Sequence, residues 1–197
     1  MTRDTKELLL GSPPPLPWVT RHLPGVPAGG TVLDLACGSG RHTRAALAAG
    51  HPVVAVDRDT SGVADLAGRP DTRIVQCDLE SGAPFPIRGS FAGVIVTNYL
   101  WRPILPDIVA AVAGDGLLIY QTFAAGNERF GRPSNPAFLL RPGELLEAVA
   151  GRLVVVAYEY VTEREPDRVV QRIVAAGSRH RDLEEHSATS SHAGKPS

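Results

Sequence analysis

GTVLDLACGSGRHTRAALAAGHPVVAVDRD, Gly30 to Asp59, decides the fold. Thr31 to Leu35 is a short apolar run that carries Asp34 near its end. Ala36 to Gly40 is small and glycine-bearing, and Arg41 to Ala49 places Ala and Leu at helical spacing. That order reads as strand, tight loop and helix. A second apolar run, Pro52 to Val56, ends at Asp57. The unit is therefore a βαβ crossover whose two strands each bring a carboxylate to the carboxyl edge of a parallel sheet. In open α/β sheets ligands bind at that edge, beside the point where strand order reverses.

The loop chemistry narrows the ligand. Gly38 and Gly40 allow a ligand to approach the backbone with no Cβ in the way, and the first turn of the helix offers unpaired N–H groups. Asp57 follows Gly40 by 57 − 40 = 17 residues, near the spacing of about 20 at which an acid meets a ribose hydroxyl pair. An adenosine-containing ligand follows. A dinucleotide fingerprint would place a third glycine where this chain has Thr43, and Asp34 at the base of the loop repels a pyrophosphate. The sulfonium and ammonium groups of S-adenosyl-L-methionine suit that acid; a pyrophosphate does not.

Composition sets the outer bounds. With 197 residues, 43% hydrophobic and 21% charged, the chain suits one globular domain with its own core. A net charge of −1 provides no global basic field to recruit nucleic acid or an anionic membrane. Two cysteines, Cys37 and Cys77, form neither a disulfide framework nor a metal-ligand spacing, so no metal is expected. No apolar run approaches a membrane span or a signal peptide, and a reducing cytoplasm is the expected location.

Outward from the central unit, Met1 to Gly11 is polar and then briefly Leu-rich, and the prolines of Ser12 to Pro17 read as an extended connector. Trp18 to Leu23 is short and amphipathic. Thr60 to Gly68 reads as a polar helix, Arg73 to Gln76 as a third strand, and Phe91 to Thr97 as a buried fourth strand. Ile104 to Ala113 reads as a helix ended by the Gly114-Asp115-Gly116 turn, and Leu117 to Phe123 as a fifth strand. Pro142 to Gly151 is a helix with proline at its start. Leu153 to Val161 and Arg168 to Ala175 form a terminal hairpin. From Ser178 the chain is polar and lacks apolar anchors, so His180, His186 and His192 are expected in a solvated, disordered tail.

VLDLACGSGRHT resembles the first motif of class I S-adenosylmethionine-dependent methyltransferases, and AVDRD their second. The likeness spans 18–176, with an extended N-terminal segment, 1–17, before it and the tail, 177–197, after it. It implies an α/β, Rossmann-like doubly wound sheet, mostly parallel, with an antiparallel last strand. It also implies cofactor contacts from Asp34, Ala36, Gly38, Gly40, Asp57 and Arg58 in the two motifs, from Asp78 and Leu79 at the adenine, and from Asn98. Ala36 departs from the class, which usually has glycine there. The family often folds an N-terminal segment over the pocket, which makes Trp18 and His22 candidate lid residues, with packing of Trp18 on the sheet as the alternative. DLACGSGRH, TNYLWRP and GNERFGRPSNPAFLLRPGELLE together resemble a bacterial group of small methyltransferases labelled tellurite-resistance-like.

Ala124 to Arg141 is long, rich in Gly, Asn, Pro and Arg, and leaves the carboxyl end of the fifth strand, where the transferable methyl should project. Structureless loops of that length are usually functional. Asn127, Arg129, Phe130 and Arg132 are the expected substrate contacts, and Tyr99 and Glu128 the expected catalytic groups. His42 is a weaker candidate. The expected activity is methyl transfer to a small-molecule or chalcogen acceptor by a monomer or homodimer. An RNA or protein methyltransferase, gaining if Arg102, Arg129, Arg132 and Arg141 made one basic groove, and a non-catalytic cofactor binder are the alternatives.

Overall fold

A computed structural model describes residues 13–180. Seven strands form one sheet: β1 (Val32–Leu35), β2 (Val53–Asp57), β3 (Thr72–Gln76), β4 (Phe91–Thr97), β5 (Val112–Phe123), β6 (Val154–Glu163) and β7 (Arg168–Ala176), in spatial order β3-β2-β1-β4-β5-β7-β6. Strands β1 to β5 pair in parallel, and β7 runs antiparallel between β5 and β6. The order reverses at β1 and β4, so the carboxyl ends of those two strands face the crevice that such sheets use for ligands. This is the doubly wound sheet with an antiparallel last strand that the sequence implies.

The central strands form because both of their faces are apolar. β1 is buried at every position and β4 at all but one, the pattern of strands covered on both sides. On one face, α1 (Pro17–His22) and α2 (Arg41–Ala48) contribute Trp18, Val19, Ala46 and Leu47 to a core with Val32, Ile95 and Ile119. On the other, α3 (Leu105–Ala110) and α4 (Glu144–Val149) contribute Ile108, Leu145 and Val149, packed with Leu33, Val94 and Leu118. Each such fully buried side chain supplies roughly 1.5–3 kcal/mol of transfer free energy.

Several elements depart from the sequence expectation, each for a local reason. The helix expected over Thr60 to Gly68 is a 3-10 turn, Ser61–Leu66, because Gly62 backs directly onto the glycine loop. The helix expected over Ile104 to Ala113 is a 3-10 turn, Arg102–Ile104, followed by α3, and β5 begins already at Val112. Gly114-Asp115-Gly116 does not end a helix; it is a bulge inside β5, between the Phe91↔Val112 and Gly93↔Leu117 pairs. Glycine is needed there, since a Cβ on Gly116 would sit 2.5 Å from the Phe91 carbonyl oxygen. Pro142 precedes α4 instead of opening it, and left-handed Gly143 is the N-cap.

At the ends, Pro17 starts α1 and does not belong to the extended connector. His180 is not solvated: it is fully buried, with Nε2 3.0 Å from the Gly25 carbonyl oxygen. The amides of Gly177 and Arg179 bond back to Gly116 and Gly114 across the bulge. The expectations for His186, His192 and Met1 to Ser12 lie outside the described residues.

Candidate functional site

The carboxyl edge carries a cleft of about 430 Å³ lined by Ala36, Asp57, Arg58, Asp78, Leu79 and Tyr99, together with Cys77, Glu80 and Phe138. Four strand ends build it, with Tyr99 supplied just after β4. Ala36 follows β1, Asp57 closes β2, and Cys77 to Glu80 follow β3. A second cavity of about 240 Å³ adjoins it, lined by Asn98 and Tyr99 after β4, Thr122 and Phe123 at the end of β5, and Pro133 and Phe138 of the following loop, with Leu100 and Glu80. Tyr99, Glu80 and Phe138 line both.

Asp57 organises the glycine loop. Its Oδ2 accepts from the Gly38 amide at 2.8 Å and its Oδ1 from the Asp59 amide at 3.0 Å. Gly38 and Gly40 have φ of 52° and 72°, the left-handed region that suits glycine. Ala36 shares that conformation at φ 54°, so the class glycine it replaces would have been the relaxed choice, and its Cβ takes room in the cleft. Beneath the loop, the sequence reading missed Arg44. Its guanidinium donates to the carbonyls of Ser39 and Gly62 and to Asp65 Oδ1 at 2.6 Å, tying the loop to the 3-10 turn. An arginine inside the Ala- and Leu-rich run Arg41 to Ala49 was the available signal.

Asp34 stands elsewhere than expected. It is 1% exposed, does not line the cleft, and accepts from Thr43 Oγ1 at 2.6 Å. Burial raises its pKa to about 6, against the bonds from Thr43 and the attraction of Arg41. The residue thus acts below the loop, and Thr43, which replaces a fingerprint glycine, is its hydrogen-bond donor. A folded-state pKa above the unfolded one means the native state binds more protons between about pH 4 and 6, so stability falls as pH rises across that window. A shift of about two units corresponds to roughly 3 kcal/mol. Denaturant unfolding of wild type and Asp34→Asn should show their difference moving in favour of the variant from pH 4 to 6 and levelling above it. A difference that stays flat over that range would refute the assignment.

Asp78 and Leu79 both line the cleft, and Asp78 Oδ1 also caps the Glu80 amide at 2.9 Å. Asn98 takes left-handed backbone, φ 53°, and its amide bonds to the Gln121 carbonyl, which turns the chain sharply out of β4. Tyr99 cannot serve as a base. Burial, reinforced by Glu80, Asp78 and Asp57, pushes its phenol far up, so it stays a protonated donor. Its hydroxyl is buried with no partner among the described residues, and its carbonyl is held by the Tyr120 hydroxyl at 2.9 Å.

The loop after β5 is less open than its composition suggests. Asn127 is buried and held at both ends of its amide: Oδ1 accepts from the Val169 amide and Nδ2 donates to the Pro133 carbonyl, so it braces the loop from inside. Glu128 caps the Gly126 amide, and Arg129 donates to the Gly126 carbonyl beside the Phe130 ring. None of Glu128, Arg129 and Phe130 lines either cavity; short-range bonds within the 3-10 turn Asn127–Arg129 hold them at its own edge. Arg132 lines an outer groove with Phe123 and Phe138. The residue of this loop that reaches the cleft is Phe138, which the sequence reading did not single out.

Trp18 packs instead of forming a lid. It is 2% exposed, with Nε1 3.4 Å from the Ile173 carbonyl and the Arg172 guanidinium over its ring. His22 stacks against it, 4.5 Å between ring centres. His42 is no base either: burial lowers its pKa to about 3. Its Nε2 accepts the Leu16 amide, which leaves Nδ1–H to donate to Thr97 Oγ1. Arg102 and Arg141 pair with Glu144, and Arg141 also with Glu147, so the four arginines form no single unpaired groove. Among the described residues no group of three His, Cys, Asp or Glu is placed to hold a metal, and no helix is long and apolar enough to cross a membrane.

Residues 32–114 match the family described as methyltransferase domain. No curated protein sequence matches the chain. Among solved structures, 1,6-didemethyltoxoflavin-N1-methyltransferase of Burkholderia thailandensis, with 1,6-didemethyltoxoflavin and S-adenosylhomocysteine bound, aligns at 21% identity. The alignment covers 89% of this chain and 79% of that one, with a TM-score of 0.61. TehB of Haemophilus influenzae aligns at 17% identity over 81% of this chain and 60% of its own, TM-score 0.62. A TehB-like methyltransferase of Corynebacterium glutamicum aligns at 22% identity over 77% and 82%, TM-score 0.54. At these identities the likeness is one of fold.

Proposed function

We propose that this chain, whose residues 32–114 match the methyltransferase-domain family, is a class I S-adenosylmethionine-dependent methyltransferase that transfers the methyl group to a small-molecule acceptor held in the cavity beside Tyr99. The single observation that carries this reading is the adjacency of two spaces that share Tyr99, Glu80 and Phe138: a polar, acid-lined cleft at the switch point and a smaller, mostly apolar cavity. The donor set of the cleft fits the cofactor. Gly38 and Gly40 give the loop its left-handed turns, Asp57 has the charge and place for ribose hydroxyls, and Asp78 with the Leu79 amide suits an adenine edge. Arg58 and Ala36 complete the walls, and Asn98 stands where the methionine end would pass.

When bound, S-adenosyl-L-methionine supplies an electrophilic methyl on a sulfonium. The protein's part is then to bind, orient and exclude water. Tyr99, kept protonated, forms the wall that the two spaces share. Phe138 and Pro133 cover the space, and no side chain of the cavity is set up as a strong base. Acceptors that are nucleophilic without deprotonation are therefore favoured. The reading against nucleic acid is supported by the pairing of Arg102 and Arg141 with carboxylates, which removes most of a basic track.

The test is calorimetric titration with S-adenosylhomocysteine. Asp57→Ala removes a charged acceptor from the ribose and also frees the Gly38 amide, so affinity should fall by roughly 1.5–3 kcal/mol, at least tenfold. Unchanged affinity in the variant would show that the cofactor does not seat on β2. Release of S-adenosylhomocysteine from a small-molecule panel then separates an enzyme from a binder.

A further inference from the structure

The acceptor cavity has a composition that selects its guest. Its walls are Tyr99, Phe123 and Phe138 with Leu100 and Pro133, and its only charged lining group is Glu80. Its volume, about 240 Å³, lies below the roughly 300–1,000 Å³ of drug-sized sites. Aromatic walls gain most from a flat guest offering a π-face or a ring edge, and more from one with positive character. The adjoining cleft adds Asp57 and Asp78 against Arg58, and none of these acids is ion-paired among the described residues. Their field reaches the cavity: after burial, Glu80, Asp78 and Asp57 push the Tyr99 phenol further above its ordinary value.

Two polar groups at the cavity lack partners. The Tyr99 hydroxyl is buried and unbonded behind the ring that faces the cavity, and the exposed Asn98 side-chain amide makes no hydrogen bond with the described residues. The Asn98 amide is open to the cavity, so a guest that offers it a polar ring atom is preferred over a plain hydrocarbon. An oxyanion would meet the opposite: apolar walls, an unpaired carboxylate and no cation, the nearest arginine of the covering loop, Arg132, lining the outer groove.

We propose that this cavity binds a small, flat nitrogen heterocycle in its neutral, nucleophilic form and excludes oxyanions. The proposal rests on the methyltransferase reading, because it assigns that site its acceptor class. It sets aside chalcogen oxyanions, which the sequence resemblance alone would bring forward.

Calorimetry of the full-length protein saturated with S-adenosylhomocysteine tests it, using isoquinoline, 2-naphthoate, cyclohexylamine and selenite as probes. Isoquinoline should bind at least tenfold more tightly than 2-naphthoate, its anionic counterpart in size and shape, and more tightly than cyclohexylamine. Selenite should give no heat. Phe123→Ala should weaken isoquinoline at least tenfold while leaving S-adenosylhomocysteine within about twofold, since Phe123 lines the cavity but not the cleft. Should that variant not fold, Phe138→Ala, on an exposed turn, should give the same loss of isoquinoline. Glu80→Gln should narrow the ratio between isoquinoline and 2-naphthoate. Selenite or 2-naphthoate binding as tightly as isoquinoline, cyclohexylamine outdoing it, or aromatic variants that leave it unchanged would each overturn the proposal. If S-adenosylhomocysteine binds and depends on Asp57 while isoquinoline does not bind, only this inference fails. If S-adenosylhomocysteine itself does not bind, the methyltransferase reading fails and carries the inference with it.

Discussion

Arg102→Ala should cost about 2–4 kcal/mol of stability and abolish the ordered cover over the cavity proposed for the acceptor. The guanidinium makes four bonds: to both oxygens of Glu144 at 2.6 and 2.9 Å, and to the carbonyls of Ala137 and Leu139 at 2.7 and 2.8 Å. Those carbonyls flank Phe138, so the arginine fixes the one aromatic of the loop that faces both spaces. Glu144 is almost wholly buried. Burial pushes its carboxyl up, but the Arg102 bond and the Arg141 amide outweigh that, and the net direction is down. Removing the cation leaves a buried carboxylate with only the Arg141 amide and a longer ionic contact. Breaking such a pair costs roughly 3–5 kcal/mol when fully buried; the Arg102 side chain is 34% exposed, which lowers the figure.

Because the folded pKa of Glu144 is depressed, its contribution is present above the ordinary glutamate range and is lost as pH falls through the folded value. The gap between wild type and Arg102→Ala should therefore close in acid. Lysine should not rescue, since one ammonium cannot span two carboxylate oxygens and two carbonyls. Arg102→Leu with Glu144→Leu should regain much of the stability but not isoquinoline binding. Urea midpoints at pH 7 and pH 4 decide the matter, and a loss under about 1 kcal/mol at pH 7 would mean the loop is held by its other bonds.

Much of this site is legible in the sequence because local chemistry dictates it. Two apolar runs, each closing near an acid, around a loop with Gly38 and Gly40, give strand, turn, helix and strand whatever surrounds them. Asp57, Asp78 and Leu79 duly fall on one edge. What is not legible depends on contacts distant in the chain. Asp34 lies next to the loop in sequence, but Thr43 draws it under the loop, and no spacing rule separates a carboxylate beneath a turn from one projecting above it. Asn127 looks like a substrate contact in a polar loop; only the position of Val169, 42 residues on, makes it a brace. Phe138 gains its role from Arg102, 35 or more residues earlier. Trp18 and His180 are drawn inward by β7 and by Gly25, partners about 155 residues away in each case.

Gly62→Ala should weaken S-adenosylhomocysteine binding more than tenfold although Gly62 lines no part of the cleft. A Cβ there would lie 2.4 Å from the Gly38 carbonyl oxygen and 2.8 Å from the Ser39 Cα. Both are backbone atoms, so nothing flexible can swing aside, and the glycine loop or the 3-10 turn must move by most of an ångström. Gly38 is the residue whose amide sits on Asp57 at 2.8 Å, so that movement separates two groups of the proposed cofactor site. The turn cannot retreat cheaply, because Arg44 clamps the Gly62 carbonyl at 3.2 Å and Val63 and Leu66 are buried behind it. Overpacking of this kind costs about 1–3 kcal/mol in stability. The binding loss should exceed what partial unfolding explains when measured well below the variant's melting temperature. Gly68→Ala, at a left-handed position in open space, is the matched control: it should lose a little stability to backbone strain and no affinity. Equal effects of the two substitutions on S-adenosylhomocysteine affinity would break the link drawn here between the turn and the loop.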